Sequence, residues 1–323
     1  MALLGEFDLI ARYFTRPARR AALGVGDDCA LLAVSPGSQL AVSSDMLVEG
    51  RHFVSTVAPG RLGHKSLAVN LSDLAACGAR PLAFTLSLAL PAADEAFLEP
   101  FAHGLWALAD RFGCELVGGD TTRGPLTIGI TVFGEVDAGR ALLRTGARPG
   151  DDVYVSGTLG DARLALEVLR GTVALGGEAF ERVRRAMETP EPRVALGTSL
   201  VGIAGSAIDV SDGFAGDLGH ILARSGVAAT VQLEALPRSA DLAAQPAEVQ
   251  RECLLSGGDD YELVFTAPAD RRAAVVAAAA AAATRVTRIG RIEAGTGLRV
   301  VDGAGRVLAG AIASFDHFRT GSP

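Results

Sequence analysis

A chain of 323 residues that is 49% hydrophobic and carries a net charge of −7 has the apolar material for a sizeable core, and at ~100–200 residues per domain its length fits two domains. The acidic balance argues against nucleic acid or an anionic membrane surface as the main partner, but leaves phosphates open because a cation can mediate their binding. Cys29, Cys77, Cys114 and Cys253 form no C-x-x-C pair, which removes zinc ribbons and thioredoxin-like motifs and points to a reducing, cytoplasmic setting.

The chain opens with MALLGEFDLIARYF, whose early Glu6 and Asp8 and missing basic region are unlike a signal peptide. Phe7, Ile10, Ala11 and Phe14 recur at helical spacing over 5–14. GVGDDCALL follows at 24–32, a glycine turn with Asp27 and Asp28 side by side before an apolar run, Ala30–Val34, expected as a strand. Two like charges ~4 Å apart at an effective dielectric near 20 repel by about 4 kcal/mol, so the pair either faces water or holds a cation. After the turn SPGS, a strand from Leu40 reaches SSDMLVEGRHF and is expected to end at Asp45.

Residues 59–79 read as a helix with Leu67, Leu71 and Leu74 on one side and Ser66, Asn70, Asp73 and Cys77 on the other. The chain's only lysine, Lys65, lies in it, and no G-x-x-x-x-G-K-[ST] occurs, so the P-loop route to nucleotide phosphates is closed. FTLSLAL (84–90) alternates as a strand, 94–113 forms a helix with Trp106 in its core, and ELVGGD is expected to stop at Asp120 before LTIGITVFGEV (126–136). GRALLRTGARPGDD (139–152) gathers glycine, proline and arginine, placing the domain crossing there and dividing the chain into 1–138 and 139–323.

The second half begins with the strand VYVSG, two or three helices to about Ile203, and the strand SAIDV (206–210). SDGFAGDLGHILARSG reads as a helix capped by Ser211 or Asp212, with Phe214, Leu218, Ile221 and Leu222 buried. SGGDDYELVF (256–265) comes next, then AAVVAAAAAAA (273–283). That run is shorter than the ~20 residues a membrane span needs and is expected as a buried helix, followed by two strands. Both halves mix strands and helices, an α/β (α+β) organisation in two domains without an internal repeat.

Aspartates recur where apolar strands meet small residues: Asp27 and Asp28, Asp45, Asp120, Asp209 and Asp212, Asp259 and Asp260, with Asp73 on its helix. α/β proteins place ligand sites at such strand ends, although a single aspartate there is commonly a turn former or cap. Five such segments of hard oxygen donors, without a His/Cys cluster, suit several magnesium ions rather than zinc. Magnesium with ATP and no P-loop suggests metal-assisted phosphoryl transfer, with Arg144 as a phosphate fork. His52 could touch a substrate, whereas His64, His103, His220 and His317 share no metal spacing. No G-x-S-x-G elbow follows Ser43 and Ser44, so serine hydrolysis has no support.

GEFDLIARYF, GVGDDCALL, SSDMLVEGRHF, KSLAVNLSDLAACGARP, VGGDTTRGPLTIGITVFGEV, RTGARPGDDVYVSGTLGD, AIDVSDG, SGGDDYELVF and FDHF together resemble the thiamine-monophosphate kinase family, in that family's order and over nearly the whole chain. The resemblance implies the aminoimidazole ribonucleotide synthetase-like fold, with an N-terminal ATP- and magnesium-binding domain that pairs its sheet in a homodimer and a C-terminal domain closing the active-site cleft. It implies ATP-dependent phosphorylation of thiamine monophosphate to thiamine diphosphate, the last step of that cofactor's biosynthesis, with small molecules rather than nucleic acid or membrane as partners. By motif it assigns Asp28, Ser43, Ser44, Asp45, Asp73, Asp120, Asp209 and Asp212 to metal, with Asp27 as a second choice. It assigns Gly119, Asp120, Arg144 and Ser211 to ATP, and His52, Asp259 and Phe315 to the thiamine phosphate. Three positions differ from the usual family pattern: Ser44 stands where threonine is more common, Asp259 where glutamate is, and Phe315 where tyrosine is. A selenophosphate-forming relative would want a reactive cysteine in an early glycine-rich loop, and a hydrogenase-maturation relative a terminal cysteine; both fit less well.

Overall fold

The computed structural model describes residues 5–308, which form two compact units. The first runs to Leu74 and resumes over Ala79–Gly139; the second comprises Ala75–Gly78 and the chain from Arg140 onward.

In the first unit the helical spacing of 5–14 yields α1 (Glu6–Leu9), continued by a π-wound turn over Ile10–Phe14 that buries Tyr13 and Phe14. The strand expected at Ala30–Val34 does not form. Leu31 makes only an isolated bridge with Leu23, while Ala21, Ala30, Leu32 and Val34 pack on Leu82, Ala83, Val117 and Phe133. The apolar run covers the sheet with its side chains instead of extending it. That sheet consists of β1 (Ser38–Val48), β2 (Arg80–Leu90), β3 (Glu115–Arg123) and β4 (Thr127–Asp137), in the order β1-β4-β2-β3. Only β2 and β3 are parallel; the other neighbours are antiparallel.

Two helices accompany this sheet, α2 (Pro59–Ala76) and α3 (Glu95–Phe112). Of the expected polar row, Ser66 and Asn70 are as buried as Leu67, Leu71 and Leu74, as are Lys65 and Ser72, whereas Asp73 is half-buried and Cys77, just past the helix, is exposed. The buried polar side chains of α2 are therefore committed to partners in the interior, since unpaired burial would be costly. α2 and α3 touch backbone to backbone. A Cβ at Gly104 would run into the Gly60 carbonyl, and one at Gly63 into the Phe101 carbonyl. Asp94 caps α3 by accepting the Ala96 N–H at 3.0 Å, and Gly113 (φ 58°) ends it in the left-handed conformation. Trp106 is core, its indole N–H donating to the Tyr13 carbonyl at 2.8 Å.

The second unit is built on β5 (Asp152–Ser156), β6 (Ser206–Asp209), β7 (Ala228–Gln232), β8 (Leu263–Ala267), β9 (Val286–Glu293) and β10 (Gly297–Val301), in the order β10-β7-β9-β5-β8-β6. Its helices are α4 (Asp161–Arg170), α5 (Gly177–Glu188), α6 (Val194–Leu200), α7 (Phe214–Ser225), α8 (Ala240–Ala243), α9 (Ala247–Ser256) and α10 (Arg272–Ala281). Val153, Val155, Ile208, Val264 and Ile289 from the strands meet Leu164, Leu218, Leu222 and Leu254 from the helices in one core. α10 departs from expectation. Only Val275 and Ala278 are buried in it, and Val276 is exposed, because alanine side chains are small enough for one narrow stripe to satisfy the contact. Among the described residues no helix is long and apolar enough to cross a membrane.

Candidate active site

In the first unit the candidate residues gather where β1 meets α2. The Ser43 hydroxyl donates to Asp73 Oδ2 at 2.5 Å, and the Asp45 backbone N–H donates to Asn70 Oδ1 at 3.1 Å. The Asn70 amide in turn donates to the Ser66 carbonyl at 3.0 Å, so a buried asparagine ties strand to helix at this point. The strand alternation sends Ser44 to the opposite face from Ser43 and Asp45, where its hydroxyl meets Thr131 Oγ1 at 2.9 Å and the Ile130 carbonyl at 3.2 Å. Asp45 lies inside β1, which continues to Val48 instead of stopping there. Just past the strand the chain doubles back: the Val48 N–H donates to His52 Nδ1 at 3.0 Å, and the His52 N–H to the Val48 carbonyl at 3.0 Å. With Nδ1 accepting, the neutral imidazole carries its proton on Nε2.

Gly119 and Asp120 lie on β3 opposite Leu86 and Ser87, and β3 likewise continues, to Arg123. Gly119 adopts φ 148°, and a Cβ there would collide with the Leu86 carbonyl, so the backbone crossing at this point requires glycine. Asp120 is exposed. The register row Asp45, Ile130, Leu86, Gly119 crosses the whole sheet. Asp45 and Asp120 thus sit on opposite edge strands, roughly 14 Å apart at three strand spacings. Asp27 and Asp28 are exposed in the preceding loop, where the Asp28 N–H donates to Asp27 Oδ1 at 3.0 Å.

In the second unit β6 delivers a buried Asp209 to the turn before α7. Neither Ser211 nor Asp212 caps that helix; the N-cap is Gly213, at φ 118°, with no side-chain cap. Asp217, in the first turn of the helix, instead reaches back to the residues that precede it. One of its carboxylate oxygens accepts the N–H groups of Ser211, Asp212 and Gly213, each at 3.1 Å. Burial, and next the neighbouring Asp212, push the Asp217 carboxyl up to about 7, against the three N–H donors that favour its charged form.

The turn is zipped to the loop between α9 and β8. Asp259 donates its N–H to the Ser211 carbonyl and Tyr261 its N–H to the Val210 carbonyl, both at 2.8 Å, while Val210 donates to the Glu262 carbonyl at 2.8 Å. Asp259 (φ 72°) and Tyr261 (φ 51°) are both left-handed, a conformation costly for non-glycine residues and held here by that pairing. Asp260 accepts the Gly160 N–H at 2.8 Å, and burial holds its carboxyl well above the usual range. Glu262 is clamped by Arg193 (Nε to Oε2 2.7 Å, Nη2 to Oε1 2.5 Å) and by the Ser156 hydroxyl. Arg144 is exposed, its carbonyl accepting from Ser225 Oγ at 3.3 Å. Phe315 lies outside the described residues.

Asp217 and the Arg193–Glu262 pair were not among the residues singled out from sequence, and Asn70 was placed only on the polar row of its helix. Asp217 had a signal: it falls on the apolar stripe Phe214, Leu218, Ile221, where a carboxylate needs a reason. Among the described residues no three His, Cys, Asp or Glu side chains gather into a closed metal centre. The donors are carboxylates and hydroxyls in small open sets. This fits magnesium, which keeps several waters and is held through one or two carboxylates together with substrate phosphates rather than by an all-protein cage.

Residues 26–136 match the family described as AIR synthase related protein, N-terminal domain, and residues 148–303 match its C-terminal domain. The thiamine-monophosphate kinase of Salmonella typhimurium is 44% identical over 98% of this chain and 99% of its own length. The crystal structure of thiamine-monophosphate kinase from Stenotrophomonas maltophilia superposes with a TM-score of 0.83 at 47% identity, covering 90% of this chain and 94% of that one. A structure of AaThiL complexed with AMPPCP and TMP superposes with a TM-score of 0.77 at 31% identity over 88% of this chain and 89% of that one.

Proposed function

This chain belongs to the thiamine-monophosphate kinase family, and on that premise we propose that it transfers the γ-phosphoryl group of ATP to the phosphate of thiamine monophosphate, yielding thiamine diphosphate. The observation that carries the reading is the direct bond between two loops with complementary assignments. The Asp209–Gly213 turn bears the residues expected at metal and nucleotide, and Asp259, expected at the thiamine phosphate, donates its N–H to Ser211 within that turn.

Asp28, Asp45, Asp73 and Asp120 of the first unit and Asp209 and Asp212 of the second would hold magnesium, with the Ser43 hydroxyl as a neighbouring donor; the Ser44 hydroxyl lies on the opposite face of β1. Bound magnesium supplies charge neutralisation across the triphosphate. Gly119 lets the backbone approach the nucleotide without a Cβ in the way, Ser211 offers a hydroxyl, and the Arg144 guanidinium forks onto phosphate oxygens. His52 presents its Nε2–H as a donor because Nδ1 is taken by Val48. Asp259 and Phe315 orient the thiamine moiety. The nucleophile is a phosphate-monoester oxygen whose second pKa is ~6, so it is already anionic near neutral pH. In-line attack on the γ-phosphorus therefore needs neither a strong general base nor a phosphoenzyme. The chain's task is positioning.

Residues 1–138 would carry nucleotide, metal and dimer contacts, and residues 139–323 the remainder of the site. The exposed Leu40, Val42 and Met46 on edge strand β1 (47%, 55% and 61% exposed) support a homodimer paired through that sheet. A cytoplasmic enzyme is consistent with the four free cysteines. The test is incubation with ATP, magnesium and thiamine monophosphate, with free thiamine as a parallel acceptor and an EDTA-treated control. Thiamine diphosphate is expected from the monophosphate alone and only with magnesium; product from free thiamine, or none from either, overturns the assignment.

A further inference from the structure

We infer that Asp217 is a positioning residue of the active site: its carboxylate fixes the backbone of Ser211–Gly213 and thereby the placement of Asp209, Asp212 and Asp259. The inference rests on the roles proposed above for that turn.

The three consecutive N–H groups of Ser211–Gly213 lie before the first helical residue, and an ordinary N-cap side chain, which accepts from N2 or N3 inside the helix, would leave them unsatisfied. Asp217 takes all three instead, with one oxygen and 3.1 Å to each. The consequence is that the Ser211 and Asp212 side chains play no part in holding the helix end and remain available to a ligand. A carboxylate 2% exposed beside Phe214, Leu218 and Ile221 is costly to bury, and its bonds secure the turn before α7 rather than the first N–H groups within it.

Both chain paths around the turn are too tight to settle elsewhere. Gly213, at φ 118° and ψ 136°, occupies backbone space that side chains rarely allow. A Cβ on Gly258 would strike the Ser211 carbonyl, and one on Gly213 would come within 3.0 Å of the Ser256 backbone. The Ser211 carbonyl receives the Asp259 N–H at 2.8 Å. Hydrogen bonds therefore run without a break from Asp217 to the turn and on to Asp259. Asp217 is buried and spends its carboxylate oxygen on backbone N–H groups, so the role inferred for it is positioning and not catalysis.

The test compares Asp217→Asn, Asp217→Glu and Asp217→Ala with the wild-type chain and with the α7 surface control His220→Ala. The readouts are kcat, KM for each substrate, AMPPCP affinity, melting midpoint, and amide hydrogen exchange across 209–213. Asn keeps an acceptor oxygen in place and is expected to stay within about threefold of wild type throughout. Glu keeps the charge but displaces it by one methylene. It is expected to exchange the 211–213 amides at least tenfold faster, to lower kcat at least tenfold and to weaken AMPPCP at least fivefold, at assay temperatures well below its melting point. Ala, if it folds, is expected to resemble Glu; if it does not, the Asn–Glu contrast decides. The inference is overturned if Glu keeps kcat and AMPPCP affinity within twofold of wild type, or if losses in all variants simply follow the melting midpoint. Should wild type make no thiamine diphosphate, the functional reading fails on its own, and hydrogen exchange with AMPPCP affinity still judges Asp217.

Discussion

Ser43 and Asp45 share one face of β1 and Ser44 the other, so three adjacent polar residues have two different surroundings. Ser43 is held by Asp73 and the Asp45 backbone by Asn70, and the charge of the Asp45 carboxylate is what the proposed metal role depends on. Asp45→Asn keeps size and backbone bonding, and is expected to lower kcat at least 100-fold while leaving the melting midpoint within a few degrees. Steady-state kinetics beside calorimetry would check it, and near-normal turnover would sink the metal role. These aspartates were legible in the sequence because carboxylates beside apolar strands stand out. Asn70 and Asp217 were not, because an amide or acid within a helix reads as a surface group until its burial is seen.

At the scale of elements, the close approach of α2 and α3 depends on residues with no side chain. Gly104→Ala places a methyl against the Gly60 carbonyl, and overpacking of this kind costs roughly 1–3 kcal/mol. The urea midpoint is expected to fall accordingly, with m unchanged. Long periodic segments such as 59–76 and 95–112 were readable because their 3.6-residue spacing repeats over several turns. Ala30–Val34 was misread as a strand because an apolar run records burial and not which backbone partner it finds. The ends of β1 and β3 were misplaced for a related reason: Asp45 and Asp120 look like terminators, yet ladder bonds carry both strands three residues further. The helix cap expected at Ser211 or Asp212 is absent because α7 starts later, with Gly213, which has no side chain, at the N-cap position.

For the molecule as a whole, stability in acid has a named contributor. Hydrogen bonding from Arg272 holds the Asp152 carboxyl below its usual range, and Arg288 adds to it. A carboxyl depressed by folding contributes stability above the unfolded pKa of ~3.9, and this is lost as pH falls through the folded value. Asp152→Asn is therefore expected to flatten the drop in melting temperature below about pH 4, read from scans between pH 6 and 2.5. The apolar strip on β1 makes a second prediction. Met46→Arg puts charge into the face proposed to pair, and light scattering is expected to shift from dimer mass toward monomer. A two-domain organisation was legible in the chain's length and in the mixture of strands and helices in both halves, whereas the inclusion of Ala75–Gly78 with the second unit was not, because a helix carries no local mark of which body its last turn joins.

The enclosure of α2 also bears on the order in which the protein comes apart. A helix with no solvent-facing side opens only when its surroundings do, so its amides should be among the slowest to exchange in the chain. Asn70 and Asp73 ride on that helix, anchoring Asp45 and Ser43. Heat should thus remove activity and the protection of 65–74 together, without an earlier stage in which the enzyme is still folded but already inert.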